Sequence, residues 1–317
     1  MPAWNVEKAI EIAAPVSKVY RLVCDYRNWT RWSPWLIAEP QAKVDISEAS
    51  DRVGSTYHWT GDVVGEGRLE HQRVVPDQLV EARLEFLRPQ KSLCKTAFLL
   101  EPIQLDQGVA GTRLIWSIDG TLPWYLFWLK STITTMVGMD FQRGLGMIKE
   151  FAETERVTSL TEVLGVETIP SVRVAGFTAR CPVDQVNASM QEMLGKVQAE
   201  YQEVGLPMEG ALIAVYTKFN MSEGVFEYLL GRAIPSTLVL PEYTKLTEWS
   251  LPTCRALHVR HIGSYKHLGN AWSVANRIAQ HQRLKLDRRA SFEIYSTVPP
   301  DTAEDALQTD LYLPLRG

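Results

Sequence analysis

Cysteine is scarce in this chain. Four residues in 317, Cys24, Cys94, Cys181 and Cys254, lie far apart with no short paired spacing. That excludes a disulfide framework and a cysteine zinc site, and leaves small apolar filling as their role. Clustered His/Cys spacings are lacking, and Gly61-Asp-Val-Val-Gly-Glu-Gly67 falls in a strand context rather than in a phosphate-cradling loop. No metal, nucleotide or flavin site is therefore expected, and no cofactor. Charge of one sign is not in excess, since 33 Lys and Arg against 37 Asp and Glu give a net charge of −4. With no helix-turn-helix pattern in the first half, nucleic acid is not an expected partner. Arg277, Arg283, Lys285, Arg288 and Arg289 read as a solvated face and favourable charge at the end of the last long helix. A basic and apolar leader is missing, because Met1-Pro-Ala-Trp-Asn5 runs straight into an alternating strand, so the expected compartment is the cytoplasm. The longest apolar run, Leu122-Pro-Trp-Tyr-Leu-Phe-Trp-Leu129, stops at Lys130. It falls short of the ~20 residues that cross a bilayer, and reads as a core-packing helix, with a surface membrane contact as the alternative.

What the chain does have is length and apolar content for two α+β domains, with 45% apolar residues over 317. Its end is the most informative part. His261-Ile-Gly-Ser-Tyr265, Trp272, Ser291-Phe-Glu-Ile-Tyr295 and Thr309-Asp-Leu-Tyr-Leu-Pro314 follow one another across a helix and two strands. Alternation sends Phe292 and Ile294 to one face of their strand and Glu293 with Tyr295 to the other. In the last strand Leu311, Leu313 and Leu315 alternate with Asp310 and Tyr312, and Tyr312 is expected to join the Glu293 surface. Tyr265, Leu268 and Trp272 recur at helical spacing and form one stripe.

An internal repeat sharpens this. Ala211-Leu-Ile-Ala-Val-Tyr-Thr217 aligns with Ala290-Ser-Phe-Glu-Ile-Tyr-Ser296, and Pro170-Ser-Val-Arg-Val-Ala175 with Pro252-Thr-Cys-Arg-Ala-Leu257. Each copy reads as strand, long helix and two strands, over residues 166 to 232 and 251 to 315. Tyr216 matches Tyr295, but Glu293 matches Ala214, so a carboxylate stands in one copy only. The plain alternative is that Glu293 is a solvated strand residue.

Over residues 165 to 317 this pattern resembles the gyrase-inhibitor-like (GyrI-like) effector-binding domain, through the Gly263-Ser-Tyr265 turn, Trp272, Phe292-Glu-Ile-Tyr295 and Asp310-Leu-Tyr-Leu-Pro314. The resemblance implies a duplicated β-α-β-β fold with a groove between its halves, in which the strand Glu binds cationic aromatic drugs. It carries that role to Glu293, with Tyr295, Tyr312, Trp272 and Tyr216 as walls. Some such domains hydrolyse strained electrophilic natural products. On that reading Glu293 would activate water while Tyr265 or Tyr295 donated a proton. Others are the sensor halves of transcription regulators. The residues alone separate none of these, and binding is the leading expectation because no nucleophile, base and orienter set is recognisable.

The first half reads as a strand over 4 to 12, a helix opened by Ala14-Pro15, a polar turn at Asp25-Tyr-Arg-Asn28, and alternating segments near 41–48, 54–60, 63–74, 78–87, 92–101 and 110–120. A closing helix runs from Pro123 to about residue 153, with Phe127, Ile133, Val137, Phe141, Leu145 and Ile148 on its apolar face. This order, with Ile12-Ala-Ala-Pro15 and Asp25-Tyr-Arg-Asn-Trp-Thr-Arg-Trp-Ser-Pro-Trp35, resembles the START-like or polyketide-cyclase-like (SRPBCC) superfamily over residues 3 to 155. It implies a helix-grip fold, a curved antiparallel sheet around a long helix enclosing an apolar cavity. Trp32 and Trp35, beside Trp29, would sit at the mouth, and Trp59, Trp116 and Trp128 would line it. His58, Glu66, Glu70, His71 and Arg83 are the titratable residues on the predicted sheet. The expected domains are 1–155 and 165–317, joined by a linker around 154–165. The expected ligand is a small hydrophobic or cationic molecule, and no feature names a protein partner.

Overall fold

The computed structural model describes residues 2–220, 223–287 and 290–316. Two compact units divide it, Met1–Val157 and Thr158–Gly317. In the first unit, strand β1 (Ala3–Ile12) leads into helix α1 (Val16–Cys24), which Pro15 opens with its fixed φ of −60°. Short 3-10 turns follow at Tyr26–Arg31 and Leu36–Ala38. Then come β2 (Lys43–Ile46), β3 (Thr56–Thr60), β4 (Glu66–Val75), β5 (Leu79–Arg88), β6 (Ser92–Gln104) and β7 (Ala110–Thr121). They form one antiparallel sheet in the order β1-β7-β6-β5-β4-β3-β2. In β5, Val80, Ala82 and Leu84 are buried while Arg83 points out, as alternation requires.

The closing helix α2 (Lys130–Thr154) packs on β1 and β7. Phe141 stacks on Trp116 with ring centroids 4.0 Å apart and planes 9° off parallel. Gly144 permits that approach, because a Cβ there would lie 2.7 Å from the Trp116 ring. This is the helix-grip arrangement expected from the order of elements. One part of the expected helix differs: Trp124–Leu129 is a 3-10 segment preceding α2, and its Phe127 and Trp128 are exposed instead of packing on the core.

In the second unit, β8 (Ser159–Ile169), β9 (Val172–Pro182), α3 (Val186–Glu203), β10 (Leu212–Asn220) and β11 (Val225–Ala233) are followed by β12 (Thr247–Leu251), β13 (Cys254–Gly263), α4 (Gly269–His281), β14 (Ser291–Tyr295) and β15 (Gln308–Pro314). The predicted duplication appears as β9-α3-β10-β11 and β13-α4-β14-β15. All eight strands make one sheet, β12-β9-β11-β10-β14-β15-β13-β8, with the two copies meeting at β10 and β14. The leading strands are exchanged: β8 precedes the first copy but pairs with β13 of the second, and β12 precedes the second copy but pairs with β9 of the first.

Residues 159–165, expected as linker, are therefore the first part of β8. Their alternation is broken by a bulge, where Val163 and Gly165 pair with Val259 and His258 and Leu164 is left over. The basic cluster is also placed differently. Helix α4 ends at His281, so Arg277 alone of the five lies on it, Arg283 sits in the turn beyond with φ of 53°, and Arg288 and Arg289 lie outside the described residues.

Candidate functional site

The centre of the second sheet is the antiparallel pair β10–β14, in which Ala214 lies directly opposite Glu293. Alternation then puts Tyr216 and Tyr295, each two residues along its strand, on the same face. Helix α4 covers this side and lowers Trp272 onto it. Its approach is fixed by the turn before it. Gly263 has φ of 124°, and a Cβ there would come within 2.1 Å of the Thr158 carbonyl, so the position demands glycine. Ser264 then caps the turn by accepting from the Lys266 N–H (3.3 Å).

Glu293 is fully buried, and its hydrogen-bond donors are all aromatic side chains. Tyr295 Oη donates to Oε2 at 2.8 Å, Tyr216 Oη donates to the same oxygen at 3.1 Å, and Trp272 Nε1 donates to Oε1. Burial pushes the Glu293 carboxyl up to about 6, with the three hydrogen bonds opposing the rise. Burial, reinforced by the Glu293 charge, also drives the Tyr216 and Tyr295 hydroxyls well above their usual range. Among the described residues no Lys or Arg forms an ion pair with Glu293. The arrangement is a buried carboxylate ringed by indole and phenol edges, which can attract a cation or exchange a proton near neutral pH.

Tyr265 stands one layer out. It packs its edge on Tyr295 (5.4 Å) and donates to the Thr297 carbonyl at 3.0 Å, and burial followed by the Glu293 charge pushes it up to about 12. Tyr216 meets Trp272 edge-on at 4.9 Å and is flanked by Phe226 and Tyr228 at 5.6 and 6.2 Å. The last two were not singled out from the sequence. Alternation in β11, with Tyr228 opposite Tyr216, is the signal that would have found them.

Tyr312 does not join this surface. The register sets Leu311 opposite Glu293 and Tyr312 opposite Phe292, so Tyr312 is on the other face of the sheet. There it stacks between Phe292 (5.1 Å) and His258 (4.4 Å). Asp310 shares that face and receives His258 Nε2 (2.7 Å), Arg260 Nε (2.8 Å) and Ser296 Oγ (2.6 Å). Burial alone would raise the Asp310 carboxyl, but these hydrogen bonds outweigh it and hold it far below the usual carboxylate range.

In the first unit, Trp32 and Trp116 are buried, with their indoles donating to the Leu22 carbonyl and to Thr96 Oγ1, each at 3.0 Å. Phe98 and Phe141 pack against Trp116 on either side of this core. Trp35 and Trp59 are half-buried, edge-on to Trp116 (5.3 Å) and Phe86 (6.0 Å). Trp128, expected to line a cavity, is 65% exposed. The titratable residues do not converge either. His58 pairs with Glu66 (3.2 Å), whereas buried His71 stacks on Tyr26 and meets the Cys24 carbonyl at 2.7 Å.

Residues 3–153 match the family described as polyketide cyclase/dehydrase and lipid transport, and residues 165–316 match the GyrI-like small molecule binding domain. No curated protein sequence matches the chain. Similar solved structures include CalU16 from Micromonospora echinospora, with 15% identity, 48% of this chain and 77% of that one covered, and a TM-score of 0.33. The protein SAV2435 bound to tetraphenylphosphonium shows 15% identity over 48% and 93% of the two chains with a TM-score of 0.37. The C-terminal domain of EcmrR shows 14% over 50% and 99% with a TM-score of 0.40. Sequence order, sheet topology and both family matches agree that the chain consists of a polyketide-cyclase-like domain followed by a GyrI-like small-molecule-binding domain.

Proposed function

We propose that the second unit binds hydrophobic organic cations at Glu293, with Tyr216, Tyr295 and Trp272 as the walls that contact the ligand and Tyr265 behind them. The observation that carries this reading is a fully buried carboxylate whose partners are all neutral rings. A lone buried charge is costly, and an incoming cation offsets that cost while each ring face adds roughly 0.5–2 kcal/mol of attraction. Because Glu293 is fully buried, binding requires the rings that cover it to part. Recognition by charge and ring area favours a range of ligands over a single one. In the first unit, Trp35 and Trp59 are the rings against which an apolar ligand would pack.

The test is calorimetric titration with tetraphenylphosphonium, a delocalised cation with four phenyl faces. Wild type binds, Glu293→Gln binds at least about tenfold more weakly, and Tyr312→Phe, altered on the opposite face, binds as wild type does. Below pH 6 wild-type affinity falls by about tenfold per pH unit as Glu293 takes up its proton. Equal affinity in wild type and Glu293→Gln would overturn the proposal. Hydrolysis of strained electrophiles is the second reading, favoured by a carboxyl near 6 beside two phenols. Mass spectrometry of a cyclopropane-bearing electrophile after incubation distinguishes it: a product formed by wild type and not by Glu293→Gln would make the site catalytic.

A further inference from the structure

The 3-10 segment Trp124–Leu129, which precedes α2, exposes four rings. Leu126 and Leu129 are half-buried, and the backbone departs from helical geometry at Leu126 (φ −109°, ψ 15°). Trp124, Tyr125, Phe127 and Trp128 are 75%, 60%, 65% and 65% exposed. Four aromatic side chains exposed to that degree leave roughly 500 Å² of ring surface in water, at the upper end of what a monomer presents. Further along α2, Met136 is also exposed.

We infer that this segment is a membrane-surface anchor, which lies in the boundary between headgroups and acyl chains of a phospholipid bilayer. Two features favour lipid over a protein partner. From Leu122 to Met139 the only charged side chain is Lys130, and no carboxylate occurs. A protein-docking patch carries a polar, charged rim around its apolar centre, and this run contributes one cation and no anion to such a rim. Two Trp and one Tyr are also the ring types with an apolar body and a polar tip, which gather at membrane interfaces, and a single Lys at the end of the run can reach back to the headgroups. The segment is too short to cross, and among the described residues no helix is long and apolar enough to do so. It lies on the bilayer, embedded to a depth of about 5–10 Å.

Co-sedimentation of the full chain with vesicles of pure phosphatidylcholine tests this. Wild type partitions into the pellet, and the double variant Trp124→Ser/Trp128→Ser partitions at least about tenfold more weakly. Tyr243→Ser, which removes an exposed ring of the second unit (74%), behaves as wild type. All three keep the same melting temperature, because the altered side chains are exposed. High salt leaves wild-type partitioning within about twofold, since ring burial and not charge drives it. The inference is overturned if wild type stays in the supernatant or if the double variant partitions equally. It is also overturned if sedimentation velocity without lipid shows a dimer that the double variant abolishes, which would assign the rings to a second copy of the chain.

Discussion

Glu293 and Ala214 face each other across β14 and β10, flanked by the pairs Ile294–Ile213 and Phe292–Val215. They are also the equivalent residues of the two repeats, so the pair lies on the axis that relates one copy to the other. A second glutamate would set two buried carboxylates side by side, about 5 Å apart, in a site whose donors are already used. The repeat therefore tolerates a carboxylate in one copy only. The asymmetry that marks Glu293 in the sequence follows from the position it occupies.

Introducing Ala214→Glu into the wild-type chain is expected to cost at least about 3 kcal/mol of stability at pH 7. In a Glu293→Ala background the same change should be far milder. The two tyrosines exchange parts, with Tyr216 now two residues along the same strand as the carboxylate and Tyr295 across from it. Urea denaturation of the four proteins measures the coupling. An equal cost in both backgrounds would contradict the paired placement.

Glu293 should also make the folded state less stable as pH rises. Its carboxyl goes from 4.5 to about 6 on folding. The protonated form is thus favoured in the native state, its contribution is fully present below about pH 4.5, and it is lost as pH rises through 6. Above that the ionised group costs about 2 kcal/mol. Glu293→Gln should accordingly be about 1–2 kcal/mol more stable than wild type at pH 7.5 and no more stable at pH 4.5. Thermal melts at the two pH values check the sign, and a less stable variant at pH 7.5 would refute it.

Asp310 has the opposite linkage. Its depressed carboxyl contributes stability that is present above its unfolded value, near 4, and lost as pH falls below it. Asp310→Asn should cost about 2–4 kcal/mol at pH 7 and flatten acid unfolding below pH 4. Because Asp310 lies on the face away from Glu293, tetraphenylphosphonium affinity should stay unchanged, which calorimetry on the folded variant reads directly.

Much of this was legible in the residues because alternation and repetition are local. The grouping of Glu293 with Tyr295 came from period two, Tyr216 from the repeat, and the helix-grip order from the succession of strand patterns before one long helix. Tyr312 went to the wrong face because alternation sorts residues within a strand but carries no information about register against the next one. Trp128 was misplaced because apolar rings give the same sequence pattern whether they meet a core or stand in solvent. The first part of β8 was read as linker because the bulge at Leu164 breaks its period and half of an edge strand's surface is exposed.

The exchanged strands β8 and β12 give the GyrI-like unit the connectivity of an arm-swapped homodimer written into a single chain. Neither repeat closes its own outer border; each is finished by a strand that belongs, in chain order, to the other. Cutting between the repeats would thus leave two halves that are each incomplete alone and complementary together. Loosening of one border is felt by the partner half, and the unit is expected to melt as one cooperative body rather than repeat by repeat.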